Sequence, residues 1–291
     1  MSDGTLALTF DDGPVEDHEQ VYPVLRERGV PASLAVVPDW IDGPESLSTD
    51  RLRELADAGW EVMAHGRRHR YLQAHALAAD AAAGDDRLVL DSAHVFPDED
   101  HGVYAGDAFE VTDGERCETV VLAAKGTTGT GGDARPFVRF EESLGADFEA
   151  GETVVRPAEA QLRDEIAGSK RALEKLGFAP TTFALPYDAG DARAWRAVAE
   201  SFDALADAAV RSLPNPPDPS PLDLRRYYLE TDKMRMTEVE TYLDLVAERG
   251  GVGILAGHSA WDTVPPERVA AVVEAAHERD IEVTTVRDAV L

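Results

Sequence analysis

Short apolar segments alternate with helical segments at the start of this 291-residue chain. Residues 6–10, 32–37 and 60–64 are apolar runs of strand length, and residues 19–28 and 49–58 between them have the periodicity of helices. Strands that are joined by helical crossovers run parallel to one another. The alternation therefore predicts an α/β fold built on a parallel sheet.

The same alternation returns after residue 157. The second set of predicted elements comprises helices at residues 158–176, 192–201, 237–249 and 266–279 and strands at residues 181–185, 225–229, 253–256 and 281–285. Three helices have predicted N-caps, namely Ser48 or Thr49, Asp191 and Thr237. With about seven parallel strands, the predicted fold class is α/β, a distorted (β/α)7-type barrel with its chemistry at the carboxyl ends of the strands.

The middle of the chain breaks this pattern. Turn-rich segments such as residues 97–100 and 126–132 separate short strand-like segments, which lie at residues 87–94, 109–112, 118–124, 137–140 and 153–155. We predict a small β-rich insertion at residues 75–157, a sandwich or barrel, between a first barrel part at residues 1–74 and a second at residues 158–291. The insertion is expected to line a substrate groove or to mediate homo-oligomer formation through an exposed strand edge.

The chain is strongly acidic, with 56 Asp and Glu residues against 28 Lys and Arg residues and a formal net charge of −28. This charge repels nucleic acids and anionic membranes, so neither is expected as a partner. Only 4 of the basic residues are lysines. An acid-rich, Lys-poor composition is similar to that of proteins from salt-accumulating halophiles, and we expect a halophilic origin. An ordinary acidic cytosolic protein is the alternative.

Features that the sequence lacks limit where the protein is expected to reside and which disulfide or zinc sites it can form. No apolar run reaches the roughly 18–20 residues that a membrane-spanning helix needs. The first residues have no basic segment followed by an apolar one, so we expect no secretory signal peptide and a cytoplasmic protein. Cys117 is the only cysteine, which excludes a disulfide framework and a Cys-based structural zinc site within one chain.

Three groups of polar residues directly follow predicted strands. Asp11 and Asp12 come after the first strand, and the Gly-Pro pair that follows should end the strand, so that the two carboxylates diverge at its mouth. His65 and His69 follow the third strand with the i, i+4 spacing that can present two imidazoles to one metal ion. His258 follows a buried strand near the end of the chain. Taken singly, each group could also be a polar turn or a set of surface histidines.

These groups fall at the carboxyl ends of strands, where a barrel gathers its chemistry. One aspartate and two histidines form a facial ligand set with open positions, which fits catalytic Zn²⁺ or a related divalent ion. The other aspartate and the remaining histidine can then supply a base and an acid. The other five histidines are interpreted as background, namely His18, His75, His94, His101 and His277.

Four motifs occur in a characteristic order: Thr-Phe-Asp-Asp-Gly from Thr9, His-x-x-x-His from His65, Pro-Tyr at Pro186, and Leu-x-x-His from Leu255. Together they resemble the motifs of the polysaccharide deacetylases, the NodB-homology family or family-4 carbohydrate esterases. The resemblance covers residues 5–74 and 158–291, which is everything except the insertion.

The resemblance implies a role for each matching residue. Asp11 would be the catalytic base, and His258 would be the acid that protonates the leaving amine. Asp12, His65 and His69 would bind the metal, which is expected to be Zn²⁺, with Co²⁺, Mn²⁺ or Ni²⁺ as alternatives.

The third motif departs from the family pattern. The resemblance assigns the backbone N–H of Tyr187 to the oxyanion, but Ala184 stands where the family has an arginine that steadies the catalytic aspartate. Arg225 or Arg226 is expected to supply that cation. Asp232 is the nearest candidate for the aspartate that orients the acid histidine.

The leading functional prediction is a metal-dependent deacetylase that hydrolyses the N-acetyl amide of an amino sugar or glycan. One alternative is hydrolysis of another non-peptide C–N bond, as in relatives that act on small cyclic amides. The other is a catalytically silent glycan-binding module. The intact Asp-Asp and His-x-x-x-His motifs argue against the silent module, because a dead site needs no base beside its metal.

Overall fold

A computed structural model of the protein describes residues 4–91, 102–129, 134–207 and 213–291. The predicted segments at residues 92–94, 97–100 and 130–132, together with His94 and His101, lie outside these residues. The chain forms two compact units. One comprises Met1–Arg68, Ile166–Asp188 and Val198–Leu291, and the other comprises His69–Glu165 and Ala189–Ala197.

The strands and helices are numbered here in chain order. The strands are β1 (Thr5–Asp12), β2 (Ser33–Val36), β3 (Glu61–Ala64), β4 (His75–Ala76), β5 (Arg87–Val89), β6 (Ala108–Thr112), β7 (Cys117–Thr128), β8 (Arg135–Phe140), β9 (Val154–Pro157), β10 (Thr182–Phe183), β11 (Ala204–Leu205), β12 (Tyr227–Tyr228), β13 (Val252–Gly257) and β14 (Glu282–Thr284). The α-helices are α1 (Tyr22–Arg28), α2 (Thr49–Asp57), α3 (Glu159–Lys175), α4 (Ala192–Ser201), α5 (Met236–Arg249), α6 (Pro266–His277) and α7 (Val286–Val290).

The first unit is built on a parallel sheet of order β11-β10-β3-β2-β1-β13-β12, with β14 also paired to β1. Strands β11 and β12 end this path, so among the described residues the sheet is a curled, open half-barrel. The predicted α/β class with a distorted barrel is confirmed. Strand β11, which was not predicted, has only two residues.

Burial explains why these segments form strands. Residues 6–10 of β1 are fully buried, as expected for a central parallel strand that is covered on both faces. Small side chains dominate one core cluster, which includes Ala7, Ala35, Ala184 and Ala204 beside Ile254. The apolar runs in the sequence are therefore the interior of the curled sheet.

The end of β1 lies two residues beyond that of the predicted strand, residues 6–10, after which the sequence places Asp11 and Asp12. Asp11 pairs with Ala35 and Asp12 with Val36, so both aspartates belong to β1. The prediction is wrong because β2 pairs only with the carboxyl half of β1 and extends its ladder past the last apolar residue. The backbone turns at Asp12, whose φ is 76°, and the glycine that follows continues that left-handed turn.

Two predicted helix starts are also corrected. The predicted helix at residues 19–28 is a short π-helix, Asp17–Val21, that leads into α1. The prediction that Thr237 caps α5 is wrong, because Arg235 occupies the N-cap and its backbone N–H donates to the Glu238 carboxylate at 2.8 Å. By contrast, Ser48 caps α2 by accepting from the backbone N–H of Arg51, and Asp191 caps α4.

The second unit contains a six-stranded antiparallel sheet of order β4-β9-β6-β7-β8-β5. Strand β7 pairs with β6 along its first half and with β8 along its second, across an irregularity at residues 122–124. The N–H of Ala78 donates to the carbonyl of Val89 at 2.9 Å and that of Asp91 to Ala76 at 2.8 Å, so the ends of the path bond to each other as in a barrel. The expected boundaries at residues 75 and 157 and the expected homo-oligomer stay predictions.

Among the helices that the structure describes, none combines the length and the apolar character that crossing a bilayer requires.

Candidate metal centre

The predicted site residues stand at the carboxyl ends of strands in the parallel sheet. Asp11 and Asp12 are the last two residues of β1, His65 is the first residue after β3, and His258 is the first after β13. The carboxyl ends of parallel strands lie at one edge of a sheet. Residues that end or follow different strands in the sequence are therefore close together in space.

Asp12, His65 and His69 form a cluster of metal-ligand type. Each offers one ligand atom, and these atoms all lie within 4.8 Å of one another. The Oδ1 of Asp12 is 3.6 Å from the Nε2 of His65. Both histidines are buried, and Asp12 is half-buried. One carboxylate and two imidazoles that converge in this way fit Zn²⁺ or a related divalent ion, which takes oxygen and nitrogen ligands in catalytic sites.

A carbonyl group fixes the tautomer of His65. Its Nδ1 is 3.0 Å from the carbonyl oxygen of Ala184, which can only accept a hydrogen bond. The proton therefore sits on Nδ1, and Nε2, the atom that faces Asp12, presents a lone pair. Metal-binding histidines are commonly oriented in this way by a backbone carbonyl.

Arg226 holds the predicted base in place. Its Nη1 donates to Oδ1 of Asp11 at 2.8 Å and its Nη2 to Oδ1 of Asp188 at 2.9 Å, with Arg226 only 4% exposed. Burial would raise the pKa of Asp11, but the charge of Arg226 and its hydrogen bond outweigh this effect and hold that pKa well below its usual range. Of the two arginines left open by the sequence, Arg226 supplies the cation, whereas Arg225 is exposed.

His258 is oriented by a glutamate and not by the predicted aspartate. Its Nδ1 is 3.0 Å from Oε1 of Glu230, a fully buried residue, whereas Asp232 is exposed. The prediction of Asp232 is wrong because the chain turns after Glu230, the second residue beyond β12, and leaves Asp232 on the surface. The sequence signal that could have identified Glu230 was its position, as an acidic residue, only two residues after the end of a strand.

The surroundings of His258 favour its protonated form. Burial lowers the pKa of His258, but the hydrogen bond with Glu230 and the charges of Asp11 and Asp12 raise it more, so that it stands above its ordinary value. Its Nε2 lies 4.0 Å from Oδ2 of Asp12, and its ring stacks on Trp261 with the centroids 3.9 Å apart. The predicted acid histidine therefore points toward the metal-ligand cluster.

Tyr187 lies in a short 3₁₀ turn, Pro186–Asp188, that follows β10. Its φ of 61° and the φ of 51° at Asp188 place both residues in the left-handed region. Such backbone is uncommon for residues other than glycine, and it is concentrated at functional sites. The role of the Tyr187 N–H stays a prediction.

Two buried carboxyls near these residues were missed by sequence reasoning. Asp207 accepts from the backbone N–H of Leu185 at 2.9 Å, and Asp17 accepts from Oγ of Ser259 at 2.6 Å. Burial raises the pKa of both carboxyls well above the usual range. Asp17 begins the unpredicted π-helix, a rare form that occurs frequently at functional sites.

The background histidines that the structure describes lie outside the Asp–His–His cluster. His18 pairs with Glu54 at 2.9 Å, and His277 ends α6 on the surface. His75 is buried in β4 of the second unit.

Comparison with known proteins supports the resemblance. Residues 1–83 match the family model for polysaccharide deacetylases. A protein of Bacillus subtilis (strain 168) named "Putative polysaccharide deacetylase YxkH" is 28% identical over 64 residues, which are 22% of this chain and 23% of that protein. The chain therefore aligns with about a quarter of the length of this curated relative.

The fold comparison extends over nearly the whole chain. A family 4 carbohydrate esterase from Streptomyces lividans, solved in complex with acetate, matches 97% of this chain and 93% of its own with a TM-score of 0.50 and 13% identity. The Xyl-CE4 domain of a xylanase from the hindgut metagenome of Trinervitermes trinervoides matches 98% and 89%, with a TM-score of 0.49 and 12% identity. At 13% identity, the likeness to the Streptomyces lividans esterase shows a shared fold.

Proposed function

We propose that the protein is a metal-dependent deacetylase that hydrolyses the N-acetyl amide of an amino sugar or glycan. One observation carries the proposal. The Asp12, His65 and His69 ligand atoms converge beside Asp11, which is oriented by an arginine, and His258, which is oriented by a glutamate. A base, an acid and a ligand set in one place are what amide hydrolysis requires.

Asp12, His65 and His69 would hold the divalent ion, with Zn²⁺ the best fit to two imidazoles and a carboxylate. When bound, such an ion supplies Lewis-acid polarisation of the amide and lowers the pKa of a coordinated water. The hydrogen bond from His65 Nδ1 to Ala184 keeps the ring in the orientation that ligation needs.

Asp11 is the proposed proton acceptor for the attacking water. Its low pKa keeps it ionised but also makes it a weak base, so its contribution depends on orientation more than on basicity. The hydrogen bond from Arg226 supplies that orientation by fixing Oδ1. We propose the backbone N–H of Tyr187 as a donor to the oxyanion.

His258 is the proposed acid. Its raised pKa favours the imidazolium, and Glu230 holds its Nδ1, so Nε2 can donate a proton to the leaving amine. Glu230 thereby sets both the orientation and the charge of the ring.

The experiment is metal loading followed by an acetate-release assay on an N-acetylated amino-sugar oligomer. We expect the metal-loaded protein to release acetate and the chelated protein to be inactive. His65→Ala and His69→Ala should retain no stoichiometric metal after dialysis, because two protein ligands do not readily hold a catalytic ion. His277→Ala, which changes an exposed histidine, is the matched control.

Other results would contradict the proposal. Ammonia or a ring-opened product without acetate would indicate another C–N bond. Glycan binding without turnover in the metal-loaded protein would indicate a silent binding module. Full metal retention by both histidine variants would remove the ligand set.

A further inference from the structure

A chain of side-chain contacts runs from the proposed base along one side of the site. Arg226 joins Asp11 to Asp188, and the hydroxyl of Tyr228 lies 3.5 Å from Oδ2 of Asp188. The ring of Tyr228 in turn contacts the next side chain in this series, Lys233.

A second set of contacts runs from Lys233 to the proposed acid. The Nζ of Lys233 lies 4.1 Å from the centroid of the Tyr228 ring and 5.3 Å from that of Trp261, which in turn stacks on His258. Trp261 is a large aromatic residue that stays 46% exposed. Tyr228, Lys233 and Trp261 thus form a continuous surface, here named the aromatic wall, which links the base side of the site to the acid side.

Lys233 is unusual in this protein. It is one of only 4 lysines in a chain with 56 acidic residues. Within the described part of the chain, no carboxylate lies within ion-pair distance of its ammonium group, which rests instead on two aromatic faces. Aromatic rings attract a cation but carry no net negative charge. The ammonium group that rests on them can therefore still bind an anionic group.

We propose that Lys233 determines substrate specificity by binding an anionic group, a carboxylate or a phosphate, on the N-acetylated substrate. This inference rests on the proposed function of the same site. A sugar whose leaving amine meets His258 has the aromatic wall beside it, because Trp261 touches both His258 and Lys233. The exposed indole offers a sugar ring an apolar surface, and the ammonium meets an acidic substituent of that ring or of its neighbour.

The electrostatics of the chain make this position selective. A net charge of −28 disfavours the approach of anions to most of the surface. An acidic substrate would therefore depend on the one uncompensated cation of the aromatic wall, and loss of that cation would affect acidic substrates far more than neutral ones.

The test compares Lys233→Gln and Lys233→Arg with the native protein on three probes. These are the neutral di-N-acetylchitobiose, a disaccharide that contains N-acetylmuramic acid, and N-acetylglucosamine 1-phosphate. For Lys233→Gln we expect KM to rise about tenfold on an anionic probe and to stay within about twofold on the neutral one, with kcat unchanged on both. Lys233→Arg should retain most of the preference. Lys175→Gln, an exposed lysine at the end of α3, is the control with the same charge change.

A binding measurement separates this inference from the proposed function. Calorimetry with the Asp11→Asn variant gives the Kd of each intact probe without turnover, and Lys233→Gln in that background should weaken only the anionic probes. Selectivity for the carboxylate or for the phosphate probe alone supports the inference and identifies the source of the anion. Selective binding without acetate release from any probe would overturn the proposed deacetylase and leave the inference standing.

Two outcomes would overturn the inference. An equal loss on neutral and anionic probes would show that Lys233 only holds the aromatic wall together. Unchanged KM and Kd on all three probes would show that the ammonium group meets no part of the substrate.

Discussion

Arg226 is the side chain on which the charge balance of the site depends. Burial lowers the pKa of this guanidinium, but Asp11, Asp188 and Asp207 raise it more, so that it stands well above its ordinary value. One buried cation thus compensates two hydrogen-bonded carboxylates, while the pKa of Asp207 is raised well above its usual range. Removing the cation would leave buried negative charge without compensation.

We therefore expect Arg226→Met to lower the free energy of unfolding by about 3–5 kcal/mol and to abolish most acetate release. Arg225→Met is the matched control, since Arg225 is the adjacent, exposed arginine and its loss should change stability by less than about 0.5 kcal/mol. Urea unfolding of both variants measures the difference. Equal stabilities would show that Arg226 is not the counter-charge of Asp11.

Substitution of the two aspartates at the end of β1 should cause different defects. Asp11→Asn should bind metal normally and lose about 10²- to 10⁴-fold in kcat, because an amide cannot accept the proton. Asp12→Asn should lose metal affinity, because the carboxylate is the charged ligand of the cluster. Metal stoichiometry and acetate release, measured on both variants, distinguish the roles; swapped phenotypes would reverse the assignment.

Asp17 offers a test of a buried carboxyl whose pKa is raised. Burial raises its pKa, with Asp11 and Asp12 adding to the shift and the hydrogen bond from Ser259 opposing it. The folded state therefore binds a proton that the unfolded state has released, and stability falls as pH rises from about 4 through the folded pKa. Asn can accept the Ser259 hydrogen bond without this loss.

In metal-free protein we expect Asp17→Asn to raise Tm at pH 7 relative to the native chain, with a smaller gain near pH 4. Asp17→Ala should lower Tm at both, since it removes the acceptor for Ser259. Thermal unfolding across a pH series measures both effects. A Tm for Asp17→Asn that is as low as that of Asp17→Ala at pH 7 would contradict a raised pKa of Asp17.

Among the strands, β4 carries a histidine that should make the second unit sensitive to acid. Burial lowers the pKa of His75 to about 4, against a weaker opposing effect of Asp191. The unfolded chain takes up a proton near pH 6.5, whereas the folded unit does so only near its lower pKa. The stability present above pH 6.5 is therefore lost as the pH falls toward 4, by on the order of 3 kcal/mol.

We expect His75→Gln to flatten this part of the pH dependence of unfolding, and His277→Gln, at an exposed position, is the control. Urea midpoints between about pH 7 and pH 4 provide the measurement. Equal slopes for the native chain and His75→Gln would show that His75 titrates normally in the folded state.

For the chain as a whole, net charge is the dominant physical property. A charge of −28 produces self-repulsion that salt screens, because the Debye length falls to about 3 Å at 1 M. We expect Tm to rise steadily with KCl up to molar concentrations. A non-ionic osmolyte at matched osmolality is the control for solvent effects. A Tm that is flat or falls with KCl would contradict the proposed halophilic origin.

The parallel α/β sheet, most of the helices and the position of the predicted site residues at strand ends could be read from the amino-acid sequence. These features are local, because apolar periodicity marks strands and helices and because the carboxyl ends of parallel strands share one edge. Asp11, Asp12, His65 and His258 are recognisable because each stands at such an end.

Only the tertiary structure decided which arginine and which acid complete the site. Asp11 and Arg226 are 215 positions apart, and Arg225 and Arg226 look alike in sequence although one is exposed and the other buried. Only the structure also identified Glu230, in place of Asp232, as the partner of His258. The same is true of the two-residue strands β4 and β11. Such choices depend on side-chain direction and on pairing between distant segments, which a local pattern does not encode.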